Sequence, residues 1–172
     1  MYVYQAVRRN KENQGNKDRE QYWEVAYPDS DHDGVIASMK RRVSHKPGVW
    51  RIYRSVNQRD IVKAKLDLLD ILTKSLVYED KRRVETIWRT VLMQPKNKAE
   101  RLFLLDIDST TPDIVAIHKA IGGPEKQKDL VFTPNGYHMI TEPFNPTAMV
   151  PFEYVEIKKD AFLFIEKFEI GA

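Results

Sequence analysis

The sequence predicts an α+β fold: a single domain in which helices pack on a mixed or antiparallel sheet. Three observations predict it. Segments with an apolar residue at every second position are interspersed with segments whose apolar residues recur three and four apart. The two kinds do not alternate regularly, as they would in a parallel βαβ array. The length of 172 residues suits one domain, and no internal repeat, low-complexity tract or linker divides it.

Taken in order, residues 2–7 read as a strand, and the polar stretch 8–19, rich in Asn, Lys and Gln, as a loop. Residues 22–27 form a second strand, stopped by Pro28. The short oxygen-bearing side chains over 29–33 can cap a helix over about residues 34–43. After the turn Pro47-Gly48, residues 49–57 are a strand. Its alternation puts Trp50, Ile52 and Val56 on one face and Arg51, Tyr53, Ser55 and Asn57 on the other. Asp60 caps a long helix to Leu76 that is apolar on most sides, so deep packing is expected. Val84, Ile87, Trp88, Val91 and Leu92 mark one apolar face of a further helix, which Pro95 ends. Residues 101–108 form a strand. Thr111-Pro112 opens a helix that buries Ile114, Ile117 and Ile121, and Gly122-Gly123-Pro124 closes it. Residues 129–132 and 137–141 are strands around the turn Pro134-Asn135-Gly136. Residues 155–157 and 161–165 read as a final hairpin.

Composition narrows the chemistry. The chain has no cysteine, which excludes a disulfide scaffold, a zinc ribbon and a thiol nucleophile. The formal net charge of +3 is only weakly basic and says little about partners by itself. No apolar run suggests a signal peptide or a membrane span, so a cytoplasmic protein with no membrane partner is expected.

The most informative segment is Leu104-Leu105-Asp106-Ile107-Asp108. On a strand Asp106 and Asp108 share one face, while Phe103, Leu105 and Ile107 point to the core. Two neighbouring carboxylates repel, and a divalent cation relieves the conflict; hard oxygen ligands suit Mg²⁺ or Mn²⁺. The plainer alternative is that Asp108 caps the following helix. A third reading takes Asp106-Ile107-Asp108-Ser109-Thr110 as the Asp-x-Asp-x-Thr form of phosphatases of the haloacid-dehalogenase type, whose motif opens a long doubly wound sheet.

The second informative segment is Thr133-Pro134-Asn135-Gly136-Tyr137-His138, a small turn leading into a strand that carries a histidine. Together the two segments resemble the archaeo-eukaryotic primase superfamily. That family has an apolar strand ending in Asp-x-Asp, then a helix, then a glycine-containing turn before a histidine strand. Thr141-Glu142-Pro143-Phe144 resembles the strand exit, and residues 49–57 the upstream strand. The resemblance covers residues 49 to the C-terminus, with residues 1–48 packed on that core, and implies an RRM-like primase-type fold. It implies that Asp106 and Asp108 bind the metals and that His138 contacts nucleotide phosphates. The family's third motif, an apolar residue followed by Asp, has Asp160 as its first candidate, both metal-binding and catalytic, and Glu156 as its second.

On this reading the protein is expected to be a metal-dependent nucleotidyltransferase that resembles a minimal primase-polymerase core. It would act on nucleoside triphosphates and a nucleic-acid strand, in DNA replication or repair. Arg51, Tyr53, Arg54, Asn57, Arg59, Asn135 and Gly136 are the expected nucleic-acid or nucleotide contacts. A basic and aromatic strand face can hold phosphates and stack a base, although it also reads as a solvated sheet edge. The alternative from another class is a non-catalytic nucleic-acid or nucleotide-binding module with the same fold.

Overall fold

The computed structural model describes residues 1–9, 12–13, 20–74 and 81–171, without the side chains of 81–83. Its elements are β1 (Tyr2–Arg8), β2 (Glu20–Ala26), α1 (His32–Val43), β3 (Gly48–Ser55), α2 (Ile61–Lys74), α3 (Lys81–Leu92), β4 (Phe103–Ile107), α4 (Ile114–Ile121), β5 (Gln127–Thr133), β6 (Gly136–Thr141), β7 (Val155–Lys158) and β8 (Phe162–Ile170). The class is α+β. Two four-stranded sheets, ordered β2-β1-β3-β8 and β5-β6-β4-β7, are antiparallel throughout the described pairings.

Helices pack on both faces of the first sheet and on one face of the second, as alternating side chains allow. In the first sheet Tyr4, Ala6, Trp50 and Ile52 pack against Met39 and Val43 of α1. On its other face, Val3 packs with Ala64 of α2 and with Val91 and Leu92 of α3. In the second sheet Leu105, Ile107 and Met139 pack against Ile117 and Ile121 of α4. A further cluster, formed by Val56, Leu104, Ile140, Ala161 and Leu163, joins the two sheets. Neighbouring placement of β4 and β6, with α4 on their face, agrees with the sequence expectation.

The structure corrects three expectations. The long helix is not deeply packed: in α2 only Ala64 is buried, while Val62, Leu66 and Leu69 are exposed. Apolar spacing all round a helix marked its character but not which faces find a neighbour. The final hairpin does not exist, because β7 pairs with β4 and β8 with β3. Residues 159–161 carry the chain from one sheet to the other, so a short polar link looked like a turn. The helix after Asp108 is capped by Asp113, whose carboxylate accepts the Ala116 N–H at 2.9 Å, and not by Asp108. Gly122, at φ 98°, closes that helix as expected. Most of the polar loop over 8–19, and the expected helix end at Leu76, lie outside the described residues. Among the described residues no helix is long and apolar enough to cross a membrane.

Candidate functional site

The uncovered parts of the two sheets face each other across a cavity of about 940 Å³. One wall comes from the first sheet: Gln5, Val7, Arg51, Tyr53 and Phe164. The other comes from the second: Asp106, Asp108, His138, Glu156 and Lys158. The size suits a small-molecule ligand.

Strand register builds the acidic wall. Asp106 of β4 is the direct partner of His138 on β6 and of Glu156 on β7, so the three side chains form one row across the sheet. Lys158, two residues beyond Glu156, points the same way. Its Nζ lies 2.5 Å from Asp106 Oδ2 and 3.0 Å from Glu156 Oε2. His138 Nε2 lies 3.3 Å from Asp106 Oδ1. The other ring nitrogen, Nδ1, accepts the backbone N–H of Phe164 at 3.2 Å. That bond stitches β6 to β8 and fixes the neutral ring with its hydrogen on Nε2, toward Asp106.

These neighbours determine the charge state of Asp106. His138, and then Lys158, stabilise its carboxylate against the opposing effect of burial and hold it at about 2, below its ordinary value of 3.8. The depressed value is a stability statement. The contribution is present above 3.8 and is lost as pH falls toward 2, an effect of about 2 kcal/mol. Urea titrations of chelated protein between about pH 5 and pH 2 should show wild type losing about that much more stability than Asp106→Asn. Equal losses would show that Asp106 is not the group responsible.

The donor set fits a hard divalent ion in part. Asp106 and Glu156 already hold the Lys158 ammonium between them, so a cation in that position reaches both carboxylates. Asp108, exposed just past the end of β4, lies on the same wall. Among the described residues no three such groups have already converged.

The opposite wall is basic and aromatic. Arg51 makes a two-pronged pair with Glu12, with Nε at 3.0 and 3.1 Å from its two oxygens, and stands 5.8 Å from the Phe164 ring centre. Burial opposes ionisation of Glu12, but Arg51, Lys167 and Arg9 outweigh it and hold the carboxyl below its usual range.

The expected site residues therefore divide. Asp106, Asp108, His138, Arg51, Tyr53 and Asn135 line the cavity. The structure places the other five as follows. Arg54 lies over the Tyr2 ring, 4.7 Å from its centre, on the face that packs α1. Asn57 is fully buried and brackets Leu102, accepting its N–H at 2.6 Å and donating to its carbonyl at 3.1 Å, which fixes the start of β4. Arg59 has no exposed side-chain surface and is paired to Asp160 at 2.5 Å. Asp160 also lines the cavity, with both of its oxygens facing the Arg59 guanidinium, while Glu156 is the acid in register with Asp106. Gly136 is buried and supplies clearance: a Cβ there would overlap the Ile107 carbonyl oxygen and lie 2.9 Å from Ser109 N and O. Sequence reasoning missed Lys158, although apolar–charged alternation over Val155-Glu156-Ile157-Lys158 was the signal that set both charges on one face.

No family model, curated protein or solved structure matches this chain. The row of His138, Asp106 and Glu156 facing a basic wall is thus the ground on which function is argued.

Proposed function

We propose that the protein is a metal-dependent nucleotidyltransferase resembling a minimal primase-polymerase core, acting in the cytoplasm on nucleoside triphosphates and a nucleic-acid strand. One observation carries the reading: strand register aligns His138 and Glu156 on either side of Asp106, across a nucleotide-sized cavity from Arg51, Tyr53 and Phe164. The order of Asp106, Asp108 and His138 along the chain supports it through the primase resemblance.

In this reading Asp106, Asp108 and Glu156 would hold Mg²⁺ or Mn²⁺. Such an ion, when bound, neutralises and orients a triphosphate. Arg51, now paired with Glu12, and Lys158, now paired with Asp106 and Glu156, stand on the two walls and would exchange these carboxylates for phosphate oxygens. His138 presents a fixed Nε2–H beside Asp106 and can donate to a phosphate oxygen. Tyr53 and Phe164, with ring centres 6.0 Å apart, offer an aromatic surface for a base. The strand's 3′-hydroxyl would then form a bond to the α-phosphorus as the bond to the pyrophosphate leaving group breaks, with the hydroxyl proton passing to solvent water.

A second reading, a nucleic-acid-binding module without turnover, is favoured by Lys158, which already neutralises Asp106. The phosphatase reading fits less well, since Asp106 sits between two antiparallel neighbours and not in a doubly wound sheet.

Primer-extension and priming assays with manganese, on wild type and Asp106→Asn side by side, test the proposal. Product from wild type and none from Asp106→Asn is expected. Manganese calorimetry should show a site that Asp106→Asn and Glu156→Gln each weaken. Nucleic-acid binding equal in both proteins, with product from neither, would leave the module.

A further inference from the structure

The exposed side of α2 carries a second feature, independent of the cleft. Val62, Leu66 and Leu69 are 66%, 63% and 58% exposed. At 100° per residue they fall within one narrow stripe, continued by exposed Thr73. Beside this ridge runs a groove of about 400 Å³ between α2 and α3, lined by Lys65, Leu68, Val84, Glu85 and Trp88. A ridge and a groove side by side make a contiguous apolar surface of the kind that marks a contact site.

The charges along the ridge indicate what covers it. On the flank away from the groove stand Lys63 and Asp70, about two helical turns apart. Both are exposed; Asp70 forms an exposed ion pair with Lys74 at 2.7 Å, weak enough for Lys63 of a second copy to join. When two copies of this helix lie antiparallel about a two-fold axis, Lys63 of each faces Asp70 of the other, so the attraction is made twice. In a parallel two-fold pair this flank would meet the opposite flank, where Lys65 stands level with Lys63, and Asp70 would have no cation opposite it. The helix is therefore complementary to itself in one orientation.

We propose that the α2 ridge docks on the α2 ridge of a second copy of this chain, antiparallel, with Lys63 opposite Asp70 at both ends. No residue of α2 lines the cavity between the sheets, so pairing leaves that cavity open. One helix pair is a small interface, and a dissociation constant on the order of 10–100 µM is expected.

Sedimentation of the full chain over about 5–500 µM tests this. Wild type should pass from monomer to dimer, and Leu66→Lys should remain monomeric. Lys63→Asp and Asp70→Lys should each weaken association roughly tenfold, since each turns two attractions into two repulsions. The combined variant Lys63→Asp with Asp70→Lys should return to within about threefold of wild type. Circular dichroism should show all four variants folded, because every altered side chain is exposed. A monomeric wild type, a dimer indifferent to Leu66→Lys or to the single reversals, or a combined variant no better than its parents would overturn the proposal.

Discussion

Asp160→Ala is expected to destabilise the fold by about 3–5 kcal/mol. The Arg59 side chain has no exposed surface, and its guanidinium faces Asp160 at 2.5 and 3.3 Å. Removing the carboxylate leaves a buried positive charge without its counter-ion, and arginine cannot shed its proton to escape. The surrounding backbone is tied in as well: the Arg59 N–H donates to the Met1 carbonyl at 2.6 Å, and the Met1 amine donates back at 3.0 Å. Losing the anchor would loosen the junction where the chain crosses from β7 to β8. Urea unfolding of wild type and Asp160→Ala measures the difference. Replacing both partners, as Arg59→Met with Asp160→Ala, should recover most of it, because the cost lies in the orphaned charge more than in the lost bond. A loss of manganese affinity without a loss of stability would instead restore Asp160 as a metal ligand.

Gly136→Ala is expected to cost about 3 kcal/mol. The added methyl would overlap the Ile107 carbonyl oxygen and press on the backbone of Ser109. Backbone atoms cannot rotate away as the tip of a side chain can, so either β6 shifts or the strand end carrying Asp108 does. The expected readouts are a lower urea midpoint and, if the proposed metal site is present, weaker manganese binding than in wild type. An unchanged midpoint would mean that the hairpin approaches β4 less closely than described. The glycine two residues before the histidine thus matters through the neighbouring acidic strand end, where the sequence had suggested contact with a nucleotide.

Much of the fold was legible because local periodicity is a direct record of which face is buried. The alternation in Leu104-Leu105-Asp106-Ile107-Asp108 set the two aspartates opposite Leu105 and Ile107, and the structure puts Leu105 and Ile107 under α4 while both aspartates line the cavity. The Gly122 stop, at φ 98°, followed from backbone chemistry that few other residues satisfy, and the turn expected over Pro134-Asn135-Gly136 falls at Pro134-Asn135, with Gly136 already the first residue of β6. Arg51, Tyr53 and His138 were also placed on the correct strand faces.

The sequence by itself determined the α+β class, most elements and their faces, and the acidic and histidine strands, because these depend on neighbours a few residues away. Only the tertiary structure decided which strands pair and which charges meet. Glu156 and Lys158 join Asp106 through a pairing across some fifty residues, while Arg59 pairs with Asp160 across 101. Whether α2 is buried was settled likewise, by what packs on it: its apolar spacing fits a core helix, yet Ala64 alone is buried and the ridge of Val62, Leu66 and Leu69 faces solvent. A side chain's type fixes what it can bind; the path of the chain fixes what lies within reach.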